Sequence, residues 1–415
     1  MAVTLIGDAN GVDSRAYQHG ISVVKDHDNN HWAIWSSSPG NPPEGETKLV
    51  LADGTKCSYF THDIYYSLIS PENLSLEAQP LVALPEAQEP VDVAVMRNGS
   101  VAITFEDGSE SDIANCDGVI EQRYKVYKQF PQNAAVSGTV KTSGAHSGHI
   151  AAVADNFVIF YSEGWVDGGG VNGAGTANDI YVETISAEGE YRWHSAISKD
   201  AGWPRDWWPL IAGSSQNALL LWQRAVEKSN YASLMLSVYD PAGNKIVKPI
   251  TVLKEKLQYY HYDVQYLNLI NRFLVVGNYL GDTTADNSIV VRSPKLFAFL
   301  LDVSGEVVDY WEAKSECSNC GSYVNFNLVR ESKPATVAIE GEGSGGSVNV
   351  AYPIKPNGVI SLMVYKDIIE FKNNIKQQHF WFPMGTDGFF SDSGETIFLN
   401  LTPTGVKLIK PFEHL

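Results

Sequence analysis

The sequence predicts an all-β fold built from a four-stranded unit that repeats along the chain. Apolar and polar residues alternate at period two almost throughout, and the periodicity of an amphipathic helix is nearly absent. The composition agrees, because aromatic residues reach 11% and glycines number 35, whereas charged residues make up only 19%. A chain of 415 residues is long enough for several ordinary domains or for one large closed β fold.

Short apolar runs bounded by turn residues mark the second strand of the unit. They cover residues 157–161, 218–222 and 273–277. Such runs are typical of strands buried on both faces. Each run follows a shorter strand and precedes a third alternating strand, a tight turn and a fourth strand.

Seven copies of this unit follow one another. Tight turns, which we assign between the third and fourth strands, alternate with the starts of the first strands. The first strands begin near His19, Val91, His149, Pro209, Tyr262, Tyr323 and a point between Phe380 and Phe389. The turns lie at residues 71–73, 115–118, 187–189, 241–243, 303–305, 356–358 and 403–405.

A period of about 50 to 60 residues with four strands per unit is typical of a β-propeller. We therefore predict one domain over residues 1–415, a seven-bladed β-propeller with four antiparallel strands per blade. Residues 3–6 form a strand with no unit of their own, so we expect them to join the C-terminal blade and close the ring. Two stacked sandwiches or barrels are the alternative.

One unit resembles a blade of the BNR or Asp-box propellers. The resemblance lies in residues 149–153, 157–162, 179–182, 187–189 and Trp193. Residues 392–396 (Asp-Ser-Gly-Glu-Thr) resemble a degenerate Asp-box, with Phe390 where Ser or Thr is expected and Ile397 where an aromatic is usual. That group includes sialidases, several polysaccharide lyases and binding propellers without catalysis. The resemblance implies the propeller fold and identifies no single activity.

Charge and hydropathy exclude several partners. The formal net charge is -18 and no run of basic residues occurs, so nucleic acid is not expected as a partner. No apolar stretch is long enough to span a membrane, and the N-terminus lacks the features of a signal peptide. We expect a protein that is cytoplasmic as made or virion-associated, or extracellular if a signal has been removed. The sequence does not determine its oligomeric state.

The cysteines and the acidic loops give no clear metal site. Cys317 and Cys320 form a close pair, but Cys57 and Cys116 do not supply the second short-spaced pair that a zinc knuckle needs. Ordinary thiols or an incidental disulfide are the preferred interpretation. Oxygen-rich segments near Asp8 and Asp167 do not match the EF-hand spacing. We therefore predict no cofactor, with calcium as the alternative.

The repeat assigns every loop to one of two faces of the propeller. Connections from a fourth strand into the next first strand, and those between second and third strands, open on one face, here called the entrance face. The remaining turns open on the opposite face. The long loops and most His, Trp and Tyr residues at strand starts fall on the entrance face, which we predict to be the binding face.

Aromatic rings beside planar polar groups suit a sugar, because rings stack on its C–H face and polar groups fix its hydroxyls. The structural alternative is that strand-start aromatics pack between blades. The predicted ligand-binding residues are His19, Trp203, Asp206, Trp207, Tyr260, His261, Asp263 and Asn325.

Three functions fit this face. The first is a recognition module that binds carbohydrate or a protein partner without catalysis. Such a module could belong to a larger assembly, for example a phage virion or a cell-surface structure. The second is a polysaccharide lyase that cleaves uronate polymers by β-elimination. There Arg205 would neutralise the carboxylate and His149 or His146 would take the C5 proton. Tyr262 or Tyr260 would donate a proton to the leaving oxygen. A sialidase-type glycosidase ranks last, because few arginines are suitably placed.

Overall fold

The computed structural model describes most of the chain. The described residues are 4–6, 20–26, 28, 30–37, 46–60, 62–69, 78–132, 134–164, 179–199, 203–229, 231–257, 262–268, 270–279, 295–314, 347–354, 358–365, 367–375, 386–390, 396–402 and 405–409. Apart from one 3-10 turn at Ile113–Asn115, all regular secondary structure within these ranges is β-strand. No helix that could cross a membrane occurs among them.

The strands form successive antiparallel sheets, numbered here in chain order. Sheet 1 contains β2 (Ile21–Lys25), β3 (His31–Ser37), β6 (Asp63–Ile69) and β7 (Gln79–Val82). A separate hairpin of β4 (Glu46–Val50) and β5 (Lys56–Phe60) is inserted between β3 and β6. Sheet 2 contains β8 (Gln88–Val95), β9 (Val101–Asp107), β10 (Glu121–Tyr127) and β11 (Val136–Thr139). Sheet 3 contains β12 (Ala145–Val153), β13 (Asn156–Glu163), β14 (Ile180–Ser186) and β15 (Tyr191–Ala196).

The C-terminal half continues the pattern. Sheet 4 contains β16 (Arg205–Gly213), β17 (Ala218–Ala225), β18 (Ala232–Tyr239) and β19 (Lys245–Leu257). Sheet 5 contains β20 (Tyr262–Leu267), β21 (Arg272–Tyr279), β22 (Lys295–Leu301) and β23 (Val307–Lys314). Sheet 6 has three described strands, β24 (Ser347–Ile354), β25 (Gly358–Tyr365) and β26 (Ile368–Ile375). Sheet 7 contains β27 (Thr386–Phe390), β28 (Thr396–Thr402), β29 (Gly405–Ile409) and β1 (Thr4–Ile6).

Sheet 7 packs against sheet 1, and sheets 1 to 6 pack against one another in chain order. The first strand of sheet 1, β2, contacts β27 of sheet 7 and β8 of sheet 2, and β12, β16 and β20 continue this row. The first strands of sheets 1 to 5 and of sheet 7 line one common cavity. Antiparallel four-stranded sheets whose first strands surround a common centre are the arrangement of a β-propeller.

The continuous apolar runs of the second strands are explained by this packing. In β13, Phe157 and Ile159 pack against sheet 2, whereas Val158 and Phe160 point to the other side and pack against sheet 4. All four side chains are buried, and burial of each stabilises the fold by about 1.5–3 kcal/mol. The prediction that such runs are strands buried on both faces is confirmed.

Carboxylates tie neighbouring first strands together near the centre. Asp387 of β27 accepts a hydrogen bond from the Val23 amide at 2.7 Å. Asp92 of β8 accepts one from the Ile150 amide at 3.0 Å and another from the Ser22 hydroxyl at 3.3 Å. A buried amide needs a partner, so these side chains replace the ladder bonds that separate sheets cannot make.

The expected pairing of the N-terminal strand is present. β1 runs antiparallel to β29, with Thr4 opposite Leu408 and Ile6 opposite Val406. Sheet 7 thus combines the two ends of the described chain, as the unpaired strand in the sequence predicted.

Glycines in tight turns fix the contact between outer parts of adjacent sheets. A Cβ on Gly189, Gly243 or Gly305 would lie 2.8 Å or less from a side chain of the preceding sheet. These glycines belong to the turns at 187–189, 241–243 and 303–305, which do connect third and fourth strands.

Two other turn assignments differ from the prediction. Residues 115–118 connect β9 and β10, the second and third strands of sheet 2. Residues 403–405 lie between the second and third strands of sheet 7, whose fourth strand is β1. The assignment of 356–358 is not tested, because three strands of sheet 6 are described. Gly, Asn and Pro mark a tight turn without indicating which pair of strands it joins.

A disulfide that the sequence did not indicate connects sheets 1 and 2. The sulfurs of Cys57 in β5 and Cys116, which follows the 3-10 turn, are bonded, and the residues are 59 apart in sequence. Both belong to connections between second and third strands. The disulfide therefore anchors the inserted hairpin to the neighbouring sheet. Cys317 and Cys320 lie outside the described residues.

Candidate functional site

A bulge recurs where three consecutive first strands enter their sheets. The pairing register shifts between Gln88 and Val91 in β8, between His146 and His149 in β12, and between Trp207 and Leu210 in β16. A bulge bends its strand and re-aims the side chains beside it. The residues at these bulges lie on the entrance face.

The bulge of β12 is shaped by a carboxylate from sheet 2. Glu106, near the end of β9, accepts the Ser147 amide at 2.6 Å and pairs with Nδ1 of His146 at 3.1 Å. The backbone of Ser147 is left-handed, with φ of 54°. Such a conformation is costly for a residue with a side chain, so the bond from Glu106 supports it.

His146 is positioned to carry a positive charge. Both His146 and Glu106 are 8% exposed. Burial alone would lower the pKa of the His146 imidazole, but the charge of Glu106 and its hydrogen bond outweigh burial and raise that pKa. The entrance of sheet 3 therefore holds a buried histidine–carboxylate pair, in which the carboxylate favours the protonated form of the His146 imidazole.

A second side chain of sheet 2 holds the remainder of this bulge. Gln122 accepts the Gly148 amide at 3.0 Å, and its amide nitrogen donates to the Thr104 hydroxyl at 2.8 Å. A Cβ at Gly148 would lie only 2.4 Å from Gln122. Nδ1 of His149 lies 3.2 Å from the Ser147 carbonyl, so both histidines have fixed rings.

The entrance of sheet 4 presents an exposed aromatic ring beside a cation. Trp203 is 43% exposed, and the Arg205 guanidinium lies 5.9 Å from its ring centroid. Arg205 is half-buried, and burial lowers the pKa of its guanidinium from the usual value. A cation at this distance interacts with the ring face.

Asp206, by contrast, is part of the internal structure of sheet 4. It has no exposed surface, and Arg224 donates to both of its oxygens at 2.8 and 2.6 Å. Trp222 donates a third hydrogen bond to the same carboxylate at 2.8 Å. Three charge-assisted bonds fix the strand immediately behind Arg205.

The other predicted residues of sheets 4 and 5 are also buried. Trp207 is fully buried and Asp263 is 2% exposed, with Oδ1 accepting the Val264 amide at 2.8 Å. Tyr262 is 1% exposed and donates its hydroxyl to the Trp208 carbonyl. Burial raises the pKa of Tyr262 well above its usual value. Strand-start aromatics therefore pack between sheets at these positions, which was the structural alternative.

The remaining predicted site residues, His19, Tyr260, His261 and Asn325, lie outside the described residues. Of the lyase set, His149 and His146 share the entrance of β12, and Arg205 begins β16, which packs directly against β12. Tyr262 begins β20, which packs against β16. The structure therefore places the four proposed lyase residues on three adjacent first strands. Tyr262 is buried, whereas Arg205 is half-buried beside the exposed ring of Trp203.

Sequence reasoning missed the residues that support the entrance. Glu106, Gln122 and Arg224 come from second and third strands and reach the bulges across or within sheets. The sequence feature that could have indicated these three residues is a charged or amide side chain within an otherwise apolar strand. Within the described part of the chain, no group of three or more His, Cys, Asp or Glu residues is placed to hold a metal ion.

No protein-family model and no curated protein matches the chain. Among solved structures, a GH93 α-L-arabinofuranosidase of Fusarium graminearum in complex with arabinobiose aligns over 77% of this chain and 92% of that chain, with 9% identity and a TM-score of 0.47. A PL25 ulvan lyase aligns over 87% and 79%, with 12% identity and a TM-score of 0.46. The β-propeller domain of the Trilobed protease from Pyrococcus furiosus aligns over 96% and 94%, with 9% identity and a TM-score of 0.46.

Proposed function

We propose that the protein is a recognition module that binds carbohydrate on its entrance face, at the Trp203–Arg205 pair. We propose further that this site belongs to one domain of seven blades, in which sheets 1 to 7 are the blades and β1 closes the ring. In this proposal the module belongs to a larger assembly, such as a virion or a cell-surface structure, and binds without catalysis.

The observation that carries the proposal is the exposed ring of Trp203 beside a half-buried guanidinium. Indole rings are usually well buried, and this one is 43% exposed at the entrance of a sheet. The C–H face of a sugar stacks on such a ring, while the guanidinium donates to its hydroxyls. The bonds of Asp206 hold the strand behind them, so little ordering is needed on binding.

Overall charge bears on the type of glycan. With a net charge of -18 the protein repels polyanions at long range. Neutral glycans are therefore the expected class, and acidic glycans would depend on Arg205 and His146 for local compensation.

A glycan array followed by calorimetry of the best ligand tests the proposal. Trp203→Ala is expected to weaken binding about tenfold or more, since aromatic anchors dominate such sites. The matched control is Tyr191→Ala, because Tyr191 is 48% exposed and has the Lys141 ammonium 4.8 Å from its ring centroid, but lies on the outer strand β15. Absence of any glycan ligand, or equal weakening by both variants, would refute the proposal.

The lyase alternative rests on a separate observation. Arg205 brings a guanidinium, and His146 an imidazole whose pKa is raised, to adjacent strand entrances, which suits the carboxylate of a uronate. Tyr262, however, is 1% exposed, so it could reach a polymer only if Trp208 moved. Incubation with a panel of uronate polymers tests this alternative. New ultraviolet absorbance from an unsaturated uronate, lost in Arg205→Ala and kept in Arg192→Ala, would replace the binding proposal by the lyase.

A further inference from the structure

The central cavity has most of its polar side chains at the end opposite the entrance face. Its volume is about 400 Å3, within the usual range of small-ligand sites. The wall is formed by first strands of six sheets and is mostly apolar, with valine, alanine and isoleucine side chains. The cavity follows the C-terminal halves of β8, β12, β16 and β20, and therefore extends toward the turns between first and second strands.

One buried polar side chain in this wall has an unused acceptor. Gln265 of β20 is 9% exposed, and its Oε1 has no hydrogen-bond partner among the residues that the structure describes. A buried acceptor left without a donor costs about 1–3 kcal/mol. A ligand that brings an O–H or N–H group into the cavity would remove this cost once the buried Gln265 amide turned toward it.

Four consecutive sheets each contribute one polar residue to the mouth. These residues follow β8, β12, β16 and β20, and they are Arg97, Asp155, Ser215 and Asn268. Arg97 and Asp155 are exposed, and neither makes a hydrogen bond or an ion pair within the described ranges. The mouth thus offers a free cation and a free carboxylate together with a hydroxyl and an amide.

An aromatic ring stands beside these groups in a fixed orientation. Tyr266 lines the cavity, and its hydroxyl donates to Oδ1 of Asn271 at 2.6 Å. Burial raises the pKa of Tyr266, while a hydrogen bond with Ser215 and the charge of Arg97 act to lower it. Tyr266 therefore lies near both of these mouth residues.

We propose that the cavity is a second ligand site, which takes one neutral sugar ring through the mouth opposite the entrance face. Donors and acceptors are mixed there, as a set of hydroxyls requires, and Tyr266 supplies an apolar face. A monoanion would meet Asp155, Asp387 and the net charge of -18, whereas a neutral ring escapes that repulsion. A hydroxyl at the deep end of the sugar donates a hydrogen bond to Oε1 of Gln265.

This site is independent of the proposed binding at Trp203. The two sites lie on opposite faces, and a single sugar ring is the ligand here, whereas an oligosaccharide or polymer is the ligand there. Saturation transfer that persists undiminished in a Trp203→Ala background therefore reports on the cavity. Failure of the glycan array leaves the cavity proposal standing, and failure of the cavity experiment leaves the entrance-face proposal standing.

Saturation-transfer NMR with glucose, galactose, mannose and xylose tests the cavity in that background, with glucuronate and glycine as anionic and zwitterionic comparisons. At least one neutral sugar is expected to bind, and Gln265→Met to weaken it about tenfold. Arg97→Ala and Asp155→Ala, at exposed positions that leave folding intact, are expected to weaken it as well. Arg192→Ala, an exposed arginine on β15, is the control that leaves binding unchanged.

The proposal is overturned if no neutral sugar shows transfer, which would mean that solvent alone satisfies Gln265. It is also overturned if only glucuronate or glycine binds, or if binding persists undiminished in the mouth variants. Should Gln265→Met fail to fold, the two mouth variants decide the question.

Discussion

The carboxylate of Glu106 lies 3.1 Å from Nδ1 of His146, across the interface between sheets 2 and 3. The same carboxylate holds the backbone of Ser147, so one side chain fixes both the charge and the shape of the β12 entrance. Because both partners are 8% exposed, the pair is sensitive to pH and to the loss of either member.

Stability is expected to fall with rising pH through this pair. The pKa of His146 is higher in the folded protein than in the unfolded chain, where it is near 6.5. The contribution of the pair is therefore fully present below about pH 6.5 and is lost as the pH rises through the folded pKa. Urea unfolding at a series of pH values is expected to show this decline, and Glu106→Gln is expected to remove that component.

NMR titration of the His146 ring provides the second readout. In Glu106→Gln its pKa is expected to fall, because burial then acts without the opposing carboxylate. An unchanged titration, or the same pH dependence of unfolding in both proteins, contradicts the assignment.

The Arg224–Asp206 ion pair inside sheet 4 is expected to contribute far more to the free energy of unfolding than the exposed Arg192–Glu190 pair. Arg224→Met leaves the buried carboxylate of Asp206 without its bidentate partner, and we expect a loss of about 3 kcal/mol in unfolding free energy. Arg192→Met removes an exposed pair with Glu190, in which both side chains are at least half exposed, and is expected to cost less than about 1 kcal/mol. Equal losses in urea unfolding would show that Asp206 does not need Arg224.

Much of the fold follows from local pattern. Residues 157–161 are apolar without a break because alternate side chains pack against two different sheets, and this could be predicted from the run itself. The pairing of β1 with β29 could be predicted because one strand had no unit of its own.

The entrance was less predictable, because its geometry depends on residues distant in sequence. Asp206 stands among tryptophans and an arginine, as in a binding site, yet Arg224, 18 residues later, occupies its carboxylate. Glu106 reaches His146 over 40 residues only because sheets 2 and 3 pack together. Of the residues predicted for ligand binding that the structure describes, Trp203 is the one left substantially exposed.

The Cys57–Cys116 disulfide is expected to stabilise the protein through its long loop. Closing a loop of 59 residues restricts the unfolded chain, and the chain-entropy relation gives about 4 kcal/mol. The double variant Cys57→Ser/Cys116→Ser is expected to lose a stability of this order, and reductant is expected to destabilise the parent but not the variant. Peptide mapping without reductant tests the pairing directly. A parent protein whose urea midpoint is insensitive to reductant contradicts the expected contribution.

Disulfide bonds persist in oxidising surroundings, so the same peptide mapping on native material reports on the compartment of the protein.

Packing rather than backbone strain is expected to dominate the cost of changing a turn glycine. Gly243 has φ of 88°, and a Cβ there would lie 2.2 Å from the ring of Trp193 on sheet 3. Gly54 has nearly the same φ, 89°, but a Cβ there meets nothing within 4 Å. Gly54→Ala is expected to cost about 1 kcal/mol from the left-handed backbone alone. In Gly243→Ala the new methyl group must also displace Trp193, and this displacement separates the outer strands of sheets 3 and 4. The loss of unfolding free energy is therefore expected to be at least twice that of Gly54→Ala. Urea unfolding of the two variants measures the difference directly. If the two costs are equal, the contact between the turn and Trp193 does not contribute to holding sheets 3 and 4 together.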